Sequence, residues 1–241
     1  MTDLLYQTDS YRKTFDANIT SSDPLNRTLA LDQTAFYPGG GGQPADSGWL
    51  DVAGTKYRVS RAKKNGQEVL HYIEGDQPLP DSGRIALGVI DWDRRYQLMR
   101  THTALHILCG VVFRDYGASV TGGDMDPLEG RMDFEFETMH HDLVEKIQQA
   151  VNKEVALSRS IRVAILPREE AFKIPDLIRT KINLLPEGIQ QVRVVEIVGL
   201  DLQADGGTHV ANTNEVGRIR VVDYKSKGRI NKRLYIAVED V

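Results

Sequence analysis

Two histidines, His102 and His106, lie four residues apart in the apolar stretch LMRTHTALHILCGVVF, residues 98–113. On a helix that spacing puts both imidazoles on one face, one turn apart, as two ligands of one tetrahedral metal require. The same spacing also fits two histidines packed into a helical core. A zinc protease of the H-E-x-x-H kind is excluded, because position 103 holds threonine where that chemistry needs a glutamate base. Further donors occur in DLQADGGTHVANTNEVG, residues 201–217, where Asp205 precedes His209 by four residues. An oxygen and a nitrogen from this segment would complete a metal site, with Gly206 and Gly207 letting the backbone turn sharply or approach a ligand. The competing interpretation is a loop with a capping aspartate. Cys109 shares the helical face of His102 and His106 and is read as a packing residue.

The stretch TAFYPGGGGQPADSGWL, residues 34–50, contains four consecutive glycines. Such a run cannot pack a core and marks either a place where backbone must come close to something or a flexible hairpin tip. It is no phosphate loop, because no lysine follows the glycines. Gly41, Gly42 and Gln43 spell the GGQ tripeptide of peptide-release factors, an alternative that Asp46 and the three histidines argue against. Two basic clusters stand out, Arg94, Arg95 and Arg100, and Lys225, Lys227, Arg229, Lys232 and Arg233. Each is either a solvated face or a set of phosphate contacts. The net charge of -4 argues against a chain that coats nucleic acid through its overall field.

The elements that must position these residues fall into two domains, divided near residue 93. Short apolar stretches at Thr28–Leu31, Trp49–Val52, Tyr57–Val59 and Arg84–Val89, punctuated by Gly, Pro and Asp, predict a small β-barrel over residues 1–93. The period then becomes helical through Tyr96, Met99, Thr103, His106 and Gly110. Over residues 94–241 strands are expected at Arg131–Glu137, Ile161–Leu166 and Val192–Val198, with a short helix at Arg168–Phe172. A helix opening at Asp142 should bury Leu143, Ile147, Val151 and Val155. Gly217–Asp223 and Arg233–Glu239 should close as an antiparallel pair around a basic turn. The expected class is α+β, a small N-terminal β-barrel followed by a domain with helices packed on an antiparallel sheet. No apolar run approaches a membrane span and no signal peptide is evident, so the expected location is cytoplasmic. The single cysteine excludes an intrachain disulfide and any zinc framework built on two cysteines.

The motifs FYPGGGGQPADSG, RTHTALHIL, GGTHVANTNEVG and KGRINKRL, in this order and at these separations, resemble the AlaX family of freestanding alanyl-tRNA editing proteins, relatives of the editing domain of alanyl-tRNA synthetase. The resemblance runs from about residue 30 to the end, and the glycine-rich motif ahead of the histidine pair resembles the medium-sized type. It implies a translation-factor-like barrel, a zinc-containing editing domain, and hydrolysis of the ester that links serine or glycine to alanine tRNA. Carried over residue by residue, it places zinc ligands at His102, His106 and His209. Where the related C-G-G-T-H element begins with cysteine this chain has Asp205, so the fourth ligand is a carboxylate or is absent, with water completing the shell; Cys109, on the same helical face, is a second possibility, although a packing role is favoured.

The resemblance also brings Gly40, Gly41, Gly42 and Gln43 to the substrate, beside Gly206 and Gly207. Sparing alanine while removing serine calls for a partner to one hydroxyl, for which Thr103, Thr121 and Thr208 are candidates. The two basic clusters become the expected tRNA contacts. DNA and membranes are not expected partners, the catalytic groups beyond the metal stay unassigned, and the oligomeric state is open. The alternative is a module that binds tRNA or a synthetase through a structural metal, without hydrolysis.

Overall fold

The computed structural model describes residues 1–175, 177–178 and 188–240. The chain forms two compact units, Met1–Tyr96 and Gln97–Val241.

The first unit contains β1 (Asp3–Leu4), β2 (Thr14–Asp23), β3 (Thr28–Leu31), β4 (Gln33–Thr34), β5 (Gly48–Val52), β6 (Thr55–Asn65), β7 (Glu68–Ile73) and β8 (Ile85–Ile90). Six of these strands close an antiparallel barrel in the order β2-β3-β7-β6-β5-β8, while β1 and β4 pair in parallel. Closure leaves no long unpaired edge, and alternate residues fill the interior. In β2 the sequence TFDANI sends Phe15, Ala17 and Ile19 inward against Leu29, Leu31, Leu50 and Val59.

The barrel also buries His71 completely, between the Thr34 hydroxyl at 2.9 Å and the Leu29 carbonyl at 3.1 Å. Burial pushes its pKa from the ordinary 6.5 down to about 4, against the opposing bond to Leu29. The unfolded chain therefore binds a proton that the folded barrel refuses. Stability from the neutral ring is complete above pH 6.5 and is lost as pH falls toward 4, by roughly 3 kcal/mol at the limit.

Helix α1 (Trp92–Tyr116) crosses the division between the units, and the expected boundary at residue 93 falls within its first turn. The second unit continues with β9 (Val120–Asp126), β10 (Glu129–Glu135), α2 (His141–Ala156), β11 (Ile161–Pro167), α3 (Arg168–Ala171), β12 (Gln191–Ile197), β13 (Asp201–Ala204), β14 (Arg218–Ser226) and β15 (Asn231–Glu239). Its strands form two antiparallel sheets, β14-β15-β10-β9 and β11-β12-β13. The α+β class and the closing β14–β15 pair are as expected.

Every residue of α1 from Leu98 to Val112 is buried, so the helix runs through the core instead of lying on it. Helix α2 differs in detail from expectation. Its cap is His140, whose side chain accepts the Leu143 N–H, and Asp142 lies in the first turn, where its charge favours the helix N-terminus. The buried face of α2 centres on Val144, Ile147 and Val151, with Leu143 only half-buried. Among the described residues no helix is long and apolar enough to cross a membrane.

The His71 ring offers a direct check. Its imidazole proton signals in an NMR titration should hold constant through pH 6.5 and move with a midpoint near pH 4. A midpoint near the ordinary value would mean that the barrel does not exclude water from this ring.

Candidate metal centre

Because α1 is buried on all sides, its polar residues need partners, each unpaired group costing about 1–3 kcal/mol. The partners for His102, Thr103 and His106 come from the β12–β13 hairpin and the loop that follows it. Side chains alternate along β13, so Asp201 and Gln203 share a face that continues to Asp205 one step past the strand. The Asp201 carboxylate accepts the Nδ1–H of His106 at 3.1 Å and the amide of Gln203 at 2.7 Å, and Gln203 Nε2 lies 3.3 Å from Cys109 Sγ. Cys109 is buried, consistent with a packing role. Gly110 makes the approach possible, since a Cβ there would lie 2.9 Å from Leu200 Cγ and 3.1 Å from Asp201 Cβ. Glycine inside a helix costs about 1 kcal/mol relative to alanine, a cost offset here by the close packing of helix and hairpin.

His209 is oriented from α1. The Thr103 hydroxyl lies 3.1 Å from His209 Nδ1 and accepts the Val210 N–H at 3.3 Å. On the other side of the ring, His209 Nε2 is 3.0 Å from Asp205 Oδ2, and His102 Nε2 is 3.5 Å from Asp205 Oδ1. Asp205 is itself fixed by the Gly207 N–H at 2.8 Å, and Arg193 of β12 holds its carbonyl at 3.0 Å and approaches its Oδ2 at 3.7 Å. One ligand atom from each of His102, His106, Asp205 and His209 falls within 4.8 Å of the other three.

The electrostatics prepare these donors. Burial drives the His102 pKa well below the ordinary value, helped by His209, His106 and Arg193 and opposed by Asp205. Burial likewise pushes His209 down to about 4 against its bond to Asp205. Burial would lower His106 too, but the bond and charge of Asp201 outweigh it and hold its pKa above the ordinary value. For Asp205 burial raises the pKa, yet the adjacent imidazoles, His102 first, hold it well below the usual carboxylate range. Near neutral pH Asp205 therefore presents a carboxylate and His102 and His209 present imidazole lone pairs, while Asp201 favours the protonated form of His106, whose Nε2 proton a bound cation would displace. A hydrogen bond on Nδ1 of both His106 and His209 leaves Nε2 as the ligand atom of each. A divalent cation satisfies such a convergence, and three imidazole nitrogens with one carboxylate oxygen suit zinc or a neighbouring first-row ion.

The remaining expected site residues divide sharply. Thr208 is fully buried, while Gly206 is exposed and a Cβ there would meet open space, so the cluster has an open side beside Asp205, whose side chain is 14% exposed. Neither Gly206 nor Gly207 adopts the left-handed backbone that a sharp glycine turn would need. Thr103 spends its oxygen on His209 and Val210, which leaves it a positioning residue and no partner for a substrate hydroxyl. Thr121 is exposed on β9 and donates to Asn231.

In the first unit, Gly39, Gly40, Gly41 and Gly42 all have positive φ, and paired backbone bonds join Gly40 and Gln43 across the tip. No L residue tolerates four such positions in a row, which accounts for the glycine run. Gln43 is buried behind the exposed Gly40 and Gly41.

Three of the arginines expected at tRNA phosphates are engaged internally. Arg95 is fully buried and grips Asp46 through Nε and Nη2, while Nη1 and Nη2 donate to the Ser10 and Ala35 carbonyls. Arg94 donates to the Ala45 carbonyl, and Arg100 to Val216, Glu239 and Asp240. In the second cluster Lys232 is buried and caps the turn at Gly228 and Arg229, and Arg233 forms a two-pronged pair with Asp133. Lys225, Lys227 and Arg229 remain exposed. Sequence reasoning missed Asp201, Gln203 and Arg193. The polar residues at alternate positions in DLQAD carried a signal for the first two, but Arg193 becomes legible only through the β12–β13 register.

Two family models match the chain, "tRNA synthetases class II (A)" over residues 9–94 and "Threonyl and Alanyl tRNA synthetase second additional domain" over residues 192–235. A relative described as alanyl-tRNA editing protein AlaX-M, from Saccharolobus solfataricus, is 40% identical over 242 residues, covering 99% of this chain and all of that protein. The AlaX-M of Methanosarcina barkeri is 33% identical, with both chains covered in full. The alanine–tRNA ligase of Ignicoccus hospitalis is 37% identical over 90% of this chain, a match that occupies 24% of the ligase. The chain belongs to the AlaX-M family of alanyl-tRNA editing proteins. That membership removes the release-factor reading of the GGQ tripeptide.

If Asp201 orients His106 for a metal, Asp201→Ala should weaken metal binding about 10- to 100-fold in a chelator competition. Asp201→Asn, which keeps an acceptor oxygen, should recover part of that loss. Equal affinity in all three proteins would show that the carboxylate only supports the fold.

Proposed function

We propose that the protein is a deacylase acting in trans on alanine tRNA that carries serine or glycine, with zinc held by His102, His106, Asp205 and His209. The observation that supports this most directly is the convergence of these four donors at an open-sided cluster, in a chain of the AlaX-M family. Trans-editing of mischarged alanine tRNA accords with that family, and the cytoplasm is where we place it.

Zinc, when bound, supplies Lewis acidity, polarising an ester carbonyl and lowering the pKa of nearby water. The chain does the rest. His106 and His209 are oriented by Asp201 and Thr103, so little side-chain freedom is lost when the site is filled. Arg193 and the Gly207 N–H hold Asp205 in place while leaving its carboxylate anionic. The open side at Gly206 admits the ester-bearing end of the tRNA, and the burial of the histidines excludes bulk water from the other sides. Discrimination against alanine requires a group that hydrogen-bonds the serine hydroxyl, since an unpaired buried partner can reject the smaller substrate by roughly 10⁴ or more. Lys225, Lys227 and Arg229 are retained as contacts to tRNA phosphates.

The deciding experiment measures hydrolysis of seryl-, glycyl- and alanyl-esters of alanine tRNA by protein of known metal content. Serine should be released and alanine spared, whereas release of glycine, which lacks the hydroxyl as alanine does, would show that the site selects on size as well. His102→Ala and His209→Ala should abolish both the activity and the bound zinc. A zinc-loaded protein that cleaves none of the esters would favour a tRNA-binding module.

A further inference from the structure

The outer wall of the barrel carries a charge pattern for which the chemistry above has no use. Strand β6, TKYRVSRAKKN, holds Lys56, Arg58, Arg61 and Lys63 on this wall, while Lys64 lies opposite the inward Val69 and is exposed at the end of the strand. Tyr57, Val59 and Ala62 point into the barrel, and a register shift between Val59 and Arg61 inserts one extra residue. Without that bulge Arg61 and Lys63 would fall on the inward positions; with it they stay outside. The neighbouring strands each set an aromatic ring against a guanidinium of β6. Arg58 lies 5.2 Å from the centroid of Trp49 on β5, and Arg61 lies 4.4 Å from that of Tyr72 on β7. Trp49 is 42% exposed although the barrel interior is filled by other side chains.

Among the described residues no ion pair engages Lys56, Arg61, Lys63 or Lys64, and Arg58 comes no nearer than 3.7 Å to Asp91. Acids come alongside toward the ends of the strand, Asp51 opposite Lys56 and Glu68 opposite Asn65, and Glu74 and Asp76 line a pocket with Trp49, Lys56 and Arg58. On a chain of net charge -4, four cations on one face of one strand form a local departure that repels itself unless an anion covers it.

We propose that this stripe, Lys56 to Lys63 flanked by Trp49 and Tyr72, is an RNA-contact surface of the barrel. The cations face backbone phosphates, and the two rings stack on unpaired bases or riboses. Rings already paired with guanidinium planes favour RNA over an acidic peptide, which would engage the charges and leave the rings unused. The proposal rests on tRNA being the substrate, and it shifts contact to residues other than Arg94, Arg95 and Arg100, which the fold consumes.

The test is binding of uncharged alanine tRNA to the full chain, followed by fluorescence anisotropy across a salt series. Lys56→Ala/Arg61→Ala/Lys63→Ala should raise Kd at least tenfold and flatten the slope of log K against log salt by about 2. Trp49→Ala should weaken binding about fivefold or more with the slope unchanged, the signature of lost stacking. Lys146→Ala/Lys153→Ala on α2, also exposed, should change neither. Wild-type affinity and slope in the triple variant would overturn the stripe while leaving the deacylase reading intact. An effect of the triple variant without one from Trp49→Ala would overturn the stacking role. A wild-type protein that binds no tRNA would overturn the stripe and the substrate reading together.

Discussion

The carboxylate of Asp205, placed among three imidazoles with Arg193 behind it, is the constraint around which the second unit is arranged. A charge so poorly hydrated is tolerated only where surrounding dipoles and cations replace water. The Gly207 N–H, the Arg193 guanidinium and the imidazoles supply that replacement from β12, α1 and the loop after β13. Each of those groups in turn needs its own partner. Asp201 answers His106, Thr103 answers His209, and Gly110 lets the helix and hairpin close to the distance at which these bonds form. The result is a chain of obligations running outward from one carboxylate, which explains why a helix carrying so many polar groups can be buried along its middle.

Asp205 also bears on the chemistry. A thiolate and a carboxylate carry the same charge but differ in softness, and the carboxylate is the harder ligand. Its second oxygen can take the Gly207 N–H while the first faces His102, something a single sulfur atom does less readily. The surroundings of this carboxylate, Arg193 above all, are therefore part of the cluster.

The first unit repeats the logic on a smaller scale. Arg95 and Asp46 form a wholly buried pair, and every direction of the guanidinium is answered by Asp46, Ser10 or Ala35. Burying two charges costs desolvation that their mutual attraction and the added hydrogen bonds must offset, so the net stabilisation is small, while removing either partner alone would strand a buried charge. Here the pair fixes the base of the glycine-rich loop, whose own residues have no side chains with which to hold themselves. The loop can thus present four left-handed backbone positions and an exposed tip above a rigid support.

What the sequence determined by itself was the inventory. Period-two and helical patterns located most strands and both long helices, and the four-motif order carried the family, because local spacing and residue type survive in one dimension. The histidine pair, His209 and Asp205 were legible for the same reason. Tertiary structure alone decided what each polar group does. Arg95 and Arg100 look as available as any arginine in the sequence, yet both are consumed by acceptors distant along the chain, Asp46 and Asp240 among them. Thr103 becomes a support for His209 and Arg193 a neighbour of Asp205 only when the hairpin register brings them together. Strands β9 and β13 are polar or glycine-rich and exist because a partner strand satisfies their backbone. Burial and pairing across the chain are properties of distance in space, and a sequence records distance only along itself.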